Sequence, residues 1–190
     1  MRRSVRGWLR SSAAVAAVLA AATVGLVVPA SAEGAEQIGG SAYVVAVSDG
    51  VNPAWTDDCP EPEGYEDFSF LTIELVEGNL QGCWYTLVEE YSFSPNVDAS
   101  PVVYQERGRE VFVGELYDDA GNLMGEGTFE TTYKFTGQYE DASLFVELHG
   151  RCQHPIVDGT GTGVFAGASG RVDFKDNVDT GELTYRGHLK

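Results

Sequence analysis

The first thirty-two residues contain no acidic side chain. Arginines at positions 2, 3, 6 and 10 precede an apolar run from Ala13 to Val28, and the first acid is Glu33. This run is shorter than the roughly 20 apolar residues that a membrane-spanning helix needs. It leads into Ala30-Ser31-Ala32, whose small first and third residues are typical of a signal-peptidase site. The sequence therefore predicts a signal peptide over residues 1–32, cleavage after Ala32, and a secreted, extracellular protein.

Basic residues are scarce in the chain that follows. It carries 29 acidic and 8 basic residues, a formal net charge of −21. A surface with this much negative charge repels nucleic acid and anionic lipid. Neither is therefore expected as a partner. The sequence has no second apolar stretch that could span a membrane, and no membrane association is expected after signal cleavage. The length of the chain after residue 32 predicts a single domain, over 41–190, which follows a short leader over 33–40.

No segment shows the 3.6-residue periodicity of an amphipathic helix. Between prolines and glycines, apolar residues recur at every second position, which is the pattern of half-buried β-strands. In residues 128–136, for example, Phe129, Tyr133 and Phe135 alternate with threonine, glutamate and lysine. The pattern predicts eight strands, over 41–48, 69–76, 82–92, 102–106 continuing through 109–117, 124–137, 143–150, 163–175 and 181–189.

Short turns join most of these strands and predict antiparallel hairpins. Residues 77–79 and 118–122 contain glycine, asparagine and aspartate, which tolerate positive φ. The longest connection, residues 49–67, is acidic and lacks the fixed spacing of a calcium loop, so a surface loop is expected. Eight strands with one apolar face form a sandwich or a barrel, and closure removes both exposed edges. We therefore expect an all-β fold, an eight-stranded antiparallel closed β-barrel.

Motifs of hydrolytic, nucleotide and metal chemistry are missing. The sequence has no Gly-x-Ser-x-Gly, and the glycine-rich residues 159–170 lead into a strand without the Lys-Ser/Thr of a phosphate loop. By strand alternation, His149 and His188 share the polar face and point to solvent. His154 follows Cys152 by two residues, but no third ligand has a suitable spacing. Neither a metal nor a cofactor is expected.

A cavity inside the barrel would be lined by the apolar face of its strands. An eight-stranded barrel is either filled by such side chains or holds one small molecule. Glu115 shares a face with Val111 and Val113, and it becomes a candidate catalytic carboxylate if that face points inward, although Phe112 and Leu116 compete for the interior. The predicted ligand-lining residues are Ile73, Phe129, Tyr133, Phe135, Leu148, Phe174 and Tyr185.

The chain has only three cysteines, Cys59, Cys83 and Cys152. An exported domain is expected to oxidise two of them. In an up-and-down barrel, the start of the third strand and the end of the sixth lie at the same end. This arrangement predicts a disulfide between Cys83 and Cys152 with Cys59 left free. A Cys59–Cys83 disulfide is the alternative, because the long loop could carry Cys59 some distance.

Four short segments carry a resemblance to a known family. The run GTGVFAGASGRVDFKD (161–176), followed by YRGHL (185–189), resembles the last two strands of the allene oxide cyclase barrel-like family, which includes the plant dirigent proteins. GRCQHPI (150–156) and GCWY (82–85) are similar to a secreted bacterial branch of that family without assigned activity.

The resemblance implies the barrel fold, while its functional content is limited. The plant enzymes steer the reaction of a hydrophobic intermediate without a cofactor, but their polar cavity residues match no positions in this chain. A fold alone does not fix a function. We expect a secreted barrel that binds a small hydrophobic ligand or a partner and is not an enzyme. A cofactor-free isomerase or cyclase is the alternative.

Overall fold

The structure of the chain, a computed structural model, describes residues 34–144, 146–177 and 182–190. The predicted signal peptide and its cleavage site lie outside the described residues. Within them, eight antiparallel strands form a single sheet, and the only helical segment is one 3-10 turn at Gly163–Phe165. The strands are β1 (Glu36–Val47), β2 (Leu71–Gly78), β3 (Leu80–Ser94), β4 (Val102–Tyr117), β5 (Leu123–Tyr139), β6 (Glu147–Gln153), β7 (Gly170–Asp176) and β8 (Leu183–Leu189).

The sheet curls into a nearly closed barrel, which confirms the predicted fold class. Its strand order is β6-β5-β4-β3-β2-β1-β8-β7, so β8 returns to pair with β1. The remaining seam lies between β6 and β7. There the segment after β6 joins the two edges, because the backbone of Ile156 donates to Gly170 at 3.0 Å and Val172 donates to His154 at 3.2 Å. Along the rest of the seam, the described residues of β6 and β7 are not paired with each other.

Three strand starts differ from the prediction by four residues or more, one of them that of β6, which begins at Glu147 and not at residue 143. β1 begins at Glu36, inside the predicted leader, because residues 36–42 pair with β8. β7 begins at Gly170 and not at residue 163. Gly163 and Gly167 both have positive φ, 55° and 82°, a conformation that glycine adopts easily and that ends a strand. The resulting 3-10 turn buries Phe165 against the barrel interior.

Buried aromatic side chains occupy one half of the interior. Trp84, Phe112 and Phe129 lie side by side on β3, β4 and β5, and each is 0% exposed. Phe165 packs over them, with its ring centroid 5.1 Å from that of Phe129. Edge-on and tilted ring contacts of this kind add to the stabilisation that comes from burying the rings. This half of the barrel is a solid core.

The long connection between β1 and β2 covers the outside of the barrel wall. Cys59 and Phe68 from this connection pack with Tyr85 of β3 and Val111 of β4 in a second buried cluster. A disulfide joins Cys59 to Cys83, with a Cα–Cα distance of 5.7 Å. The connection is therefore pinned to the outer face of β3.

The predicted disulfide between Cys83 and Cys152 is wrong, and Cys152 is a free thiol. Cys83 precedes the interior residue Trp84 by one position, so its side chain points outward. Cys152 lies opposite Phe135 and lines the interior side. The barrel wall separates the two sulfurs. The alternative partner, Cys59, reaches Cys83 because the loop folds back over the outer face.

Candidate functional site

The interior row of β4 changes from apolar to polar halfway along the strand. Phe112 belongs to the solid core, and the next inward positions toward the start of the strand are Glu110, Gly108, Glu106 and Tyr104. These positions share a face because side chains alternate along a strand with a period of two. Two acidic side chains are thereby brought above the aromatic core, in the half of the barrel that is not filled.

Glu110 is the centre of a buried hydrogen-bonded cluster. The strand register places Thr86 and Thr131 directly beside it on β3 and β5. The Thr131 hydroxyl donates to Oε2 of Glu110 at 2.8 Å, and Thr86 donates to Oε1 at 3.4 Å. Nδ1 of His154 lies 2.6 Å from the same Oε2. Glu110 and His154 are only 3% and 4% exposed, and a buried carboxylate needs such partners.

His154 combines its hydrogen bond to Glu110 with an aromatic environment. Its ring stacks on Tyr133 at a centroid distance of 6.2 Å and meets Phe174 and Trp84 edge-on at 5.3 and 6.0 Å. A carboxylate is an acceptor, so the contact with Glu110 places a proton on Nδ1 and leaves Nε2 as the free acceptor of the neutral ring. Nε2 is buried and has no hydrogen-bond partner among the described protein atoms.

Tyr133 forms the next layer above Glu110. Its side chain is 5% exposed, and its hydroxyl makes no hydrogen bond to the described protein atoms. Burial, together with the negative charges of Glu106 and Glu110, raises the pKa of Tyr133. The phenol therefore stays neutral at ordinary pH. Gly108 makes room for the ring, since a Cβ there would lie 2.9 Å from it.

Glu106 lies one layer further toward the open end. Burial raises the pKa of Glu106, while the Tyr104 hydroxyl, which donates a hydrogen bond to it, and the more distant Tyr133 hydroxyl oppose this effect. Burial and the Glu106 carboxylate in turn raise the pKa of Tyr104. Tyr104 also contacts the rings of Phe135 and Tyr139, at centroid distances of 6.4 and 6.5 Å. An acidic group thus lies within a set of aromatic side chains.

These residues enclose a cleft at the open end of the barrel, which we call the mouth cleft. Its volume is about 280 Å³. Aromatic rings form most of its wall, and Leu144, with a φ of 59°, stands at its edge. A residue other than glycine in this conformation is uncommon and tends to occur at functional sites. The mouth cleft is lined by Phe70, Tyr104, Glu106, Glu110, Tyr133, Phe135, Tyr139, Leu144 and Cys152.

A second cleft, which we call the seam cleft, has a volume of about 220 Å³ and is lined by residues on both sides of the β6–β7 seam. Phe135 and Cys152 line both clefts. His154 and Phe174 line the seam cleft, although the His154 side chain is almost fully buried. Burial and the nearby Glu110 raise the pKa of the Cys152 thiol. This thiol is therefore neutral and a weak nucleophile.

The predicted lining residues fall into three groups. Tyr133 and Phe135 line the mouth cleft, whereas Ile73, Phe135 and Phe174 line the seam cleft. Phe129 and Tyr185 belong to the solid core. The Tyr185 hydroxyl accepts from the backbone N–H of Leu80 at 2.7 Å and lies 2.8 Å from its carbonyl oxygen.

Leu148 is not a lining residue, and its predicted inward orientation is wrong. The side chain is 53% exposed. A register shift between Gln138 and Tyr139 places Glu147 opposite Tyr139, whose hydroxyl donates to the Glu147 carboxylate at 3.2 Å. The register shift interrupts the alternation of β6 at this point, and Leu148 turns outward.

Glu115, the candidate catalytic carboxylate, is on the outer face of β4. It is partly exposed and accepts a hydrogen bond from the Tyr117 hydroxyl at 2.6 Å. Val111 shares its face and is nevertheless 0% exposed, because the long connection covers that part of the outer wall. The interior carboxylates are Glu110 and Glu106. The sequence signal that could have found them is their even spacing from Phe112.

His154 is the other site residue that sequence reasoning missed. The sequence predicts it in a loop, whereas it follows β6 directly and its backbone joins the β6–β7 seam. His149 is exposed, as predicted. In residues 34–144, 146–177 and 182–190, no group of three or more His, Cys, Asp or Glu side chains could hold a metal ion. The same residues include no helix long and apolar enough to cross a membrane.

No family model, curated protein or solved structure matches this chain. The resemblance to the allene oxide cyclase barrel-like family therefore stays a prediction.

Proposed function

We propose that this chain is a secreted barrel protein that binds a small, largely hydrophobic molecule in the mouth cleft. One observation carries the proposal: an aromatic-walled cleft ends on a few convergent polar groups, one of which, the Tyr133 hydroxyl, has no protein partner. Apolar walls with a small number of polar groups are the usual composition of a small-molecule site. The walls supply affinity, and the polar groups fix the orientation of the ligand.

The size of the cleft limits the ligand. At about 280 Å³, the mouth cleft lies at the lower end of the roughly 300–1,000 Å³ that is typical of ligand pockets. The solid layer of Trp84, Phe112 and Phe129 prevents deeper entry. The ligand is therefore a small compound of one or two ring systems.

Binding of a neutral, apolar fluorescent probe, N-phenyl-1-naphthylamine, tests this proposal. We expect Phe135→Ala to weaken probe binding about tenfold, which corresponds to a loss of about 1.4 kcal/mol of apolar contact. Phe135 is the reporter because it lines both clefts. Leu148→Ala is the matched control, since it removes an exposed apolar side chain from β6. Equal affinities of the wild type and Phe135→Ala, or no binding at all, would contradict the proposal.

A cofactor-free isomerase or cyclase is the second candidate, and the free Nε2 of His154 favours it. A histidine whose other nitrogen is held by a carboxylate is the arrangement of many general bases. In this function, Nε2 would take a proton from one carbon of a ligand that extends between the mouth and seam clefts and would return it to another carbon, and the Tyr133 hydroxyl would donate a hydrogen bond to the oxyanion formed in between. Turnover that is lost in Tyr133→Phe while probe binding is retained would separate this function from binding alone.

A further inference from the structure

The mouth cleft has an uneven distribution of charge. Two carboxylates, Glu106 and Glu110, line it, and among the described residues that line it there is no lysine, arginine or histidine. The basic residues of the same strands occupy the alternate, outward positions. Arg107 pairs with Glu90 at 2.6 Å, and Arg109 pairs with Glu89 at 2.9 Å. A charged ligand group in the cleft would therefore meet only negative protein charge.

The two carboxylates differ in the contacts that they already make. Both oxygens of Glu110 are hydrogen-bonded within the cluster, to threonine hydroxyls and to His154. Glu106 has the Tyr104 hydroxyl as its hydrogen-bonding neighbour and is partly exposed toward the cleft. Glu106 is therefore the group that can pair with a ligand. Its raised pKa reflects burial without a compensating positive charge.

Aromatic rings surround this carboxylate. Tyr104, Tyr133, Phe135 and Tyr139 all line the cleft with Glu106. A cation above the face of such a ring gains about 0.5–2 kcal/mol, and cages of aromatic rings are a common way to hold an alkylated ammonium group. The Tyr133 side chain is 5% exposed, and its hydroxyl has no hydrogen-bond partner among the described protein atoms. Its oxygen can therefore accept a hydrogen bond from an N–H group of a ligand.

We infer that the mouth cleft binds an organic cation, a small hydrophobic amine or quaternary ammonium compound, through Glu106 and the surrounding aromatic rings. This inference rests on the proposed function and specifies its ligand class. A metal ion does not fit the same residues, because no group of three or more suitable ligands exists in the described part of the chain. An anion would meet two carboxylates, and none of the described residues that line the mouth cleft is basic.

A pair of isosteric compounds tests the inference. Phenyltrimethylammonium and tert-butylbenzene have nearly the same shape and differ in charge, and each is titrated against bound N-phenyl-1-naphthylamine. We expect the cation to displace the probe at a concentration at least tenfold lower than the neutral compound. In Glu106→Gln, which keeps an acceptor for Tyr104, this preference should fall below threefold.

Glu115→Gln is the control, because it removes the same charge from the outer face of β4 and should leave the preference unchanged. Equal or tighter binding of the neutral compound to the wild type would overturn the inference while leaving the proposed function intact. An unchanged preference in Glu106→Gln would also overturn it. Failure of the fluorescent probe itself to bind would instead overturn the proposed function.

Discussion

Replacing His154 with leucine should lower the free energy of unfolding by about 3 kcal/mol, because it removes a hydrogen-bond donor from a buried carboxylate, and a charged acceptor left without its partner in the interior is costly. The carboxylate that loses its partner is that of Glu110, which is 3% exposed and whose shortest contact is the 2.6 Å hydrogen bond to His154. The two threonine hydroxyls that remain are neutral donors. Urea unfolding followed by tryptophan fluorescence measures the change.

A double-mutant cycle separates the loss of the pair from the loss of packing. Glu110→Leu combined with His154→Leu should be less destabilising than the sum of the single changes by about 2 kcal/mol, since residues in one network are not additive. His149→Leu, at an exposed position of β6, should stay within about 0.5 kcal/mol of the wild type. A His154→Leu protein as stable as that control would mean that the carboxylate is solvated and that the cluster does not exist.

Loss of the Cys59–Cys83 disulfide should lower the free energy of unfolding by about 3 kcal/mol. The bridge closes a loop with a sequence separation of 24 and fixes the long connection to the outer face of β3 and β4. We expect the Cys59→Ser/Cys83→Ser variant to show the same midpoint in urea with and without a reductant. The wild type should lose stability only when it is reduced.

Cys152→Ser is the control for this experiment. It removes the free thiol, so its stability should respond to a reductant as strongly as that of the wild type. Non-reducing peptide mapping should recover Cys59 linked to Cys83. Recovery of Cys152 in an intramolecular disulfide would contradict the packing of the long connection on the outer wall.

The fold was predictable because several strands have one solvent-exposed face and one buried face. In β5, the alternation around Phe129 and Tyr133 identifies the interior correctly. In β4 the same reasoning is ambiguous, since Val111 and Phe112 are both fully buried. The outer face of β4 is shielded from solvent only because the long connection between β1 and β2, which is distant in the sequence, covers it. Local alternation contains no information about that loop, so Glu115 and Glu110 could not be told apart.

The site depends on contacts between residues far apart in the sequence. His154 reaches Glu110 across 44 positions, and it does so because the segment after β6 closes the barrel against β7. The disulfide shows the same limit. Chain crossings gave the end of the barrel at which Cys83 lies, but they did not say on which face of the wall its side chain stands. Leu148 was misplaced by a register shift that has no signature in the local sequence.

Mapping the ligand position tests the central claim most directly, which is that the half of the barrel above Glu110 is a binding site. Titration with indole, a small neutral aromatic compound, followed by ¹H–¹⁵N nuclear magnetic resonance would locate the contact. We predict that the largest shifts fall on the backbone amides of Glu106, Tyr133 and Phe135. Shifts confined to the outer face of β4, at Val113 and Glu115, would contradict the account.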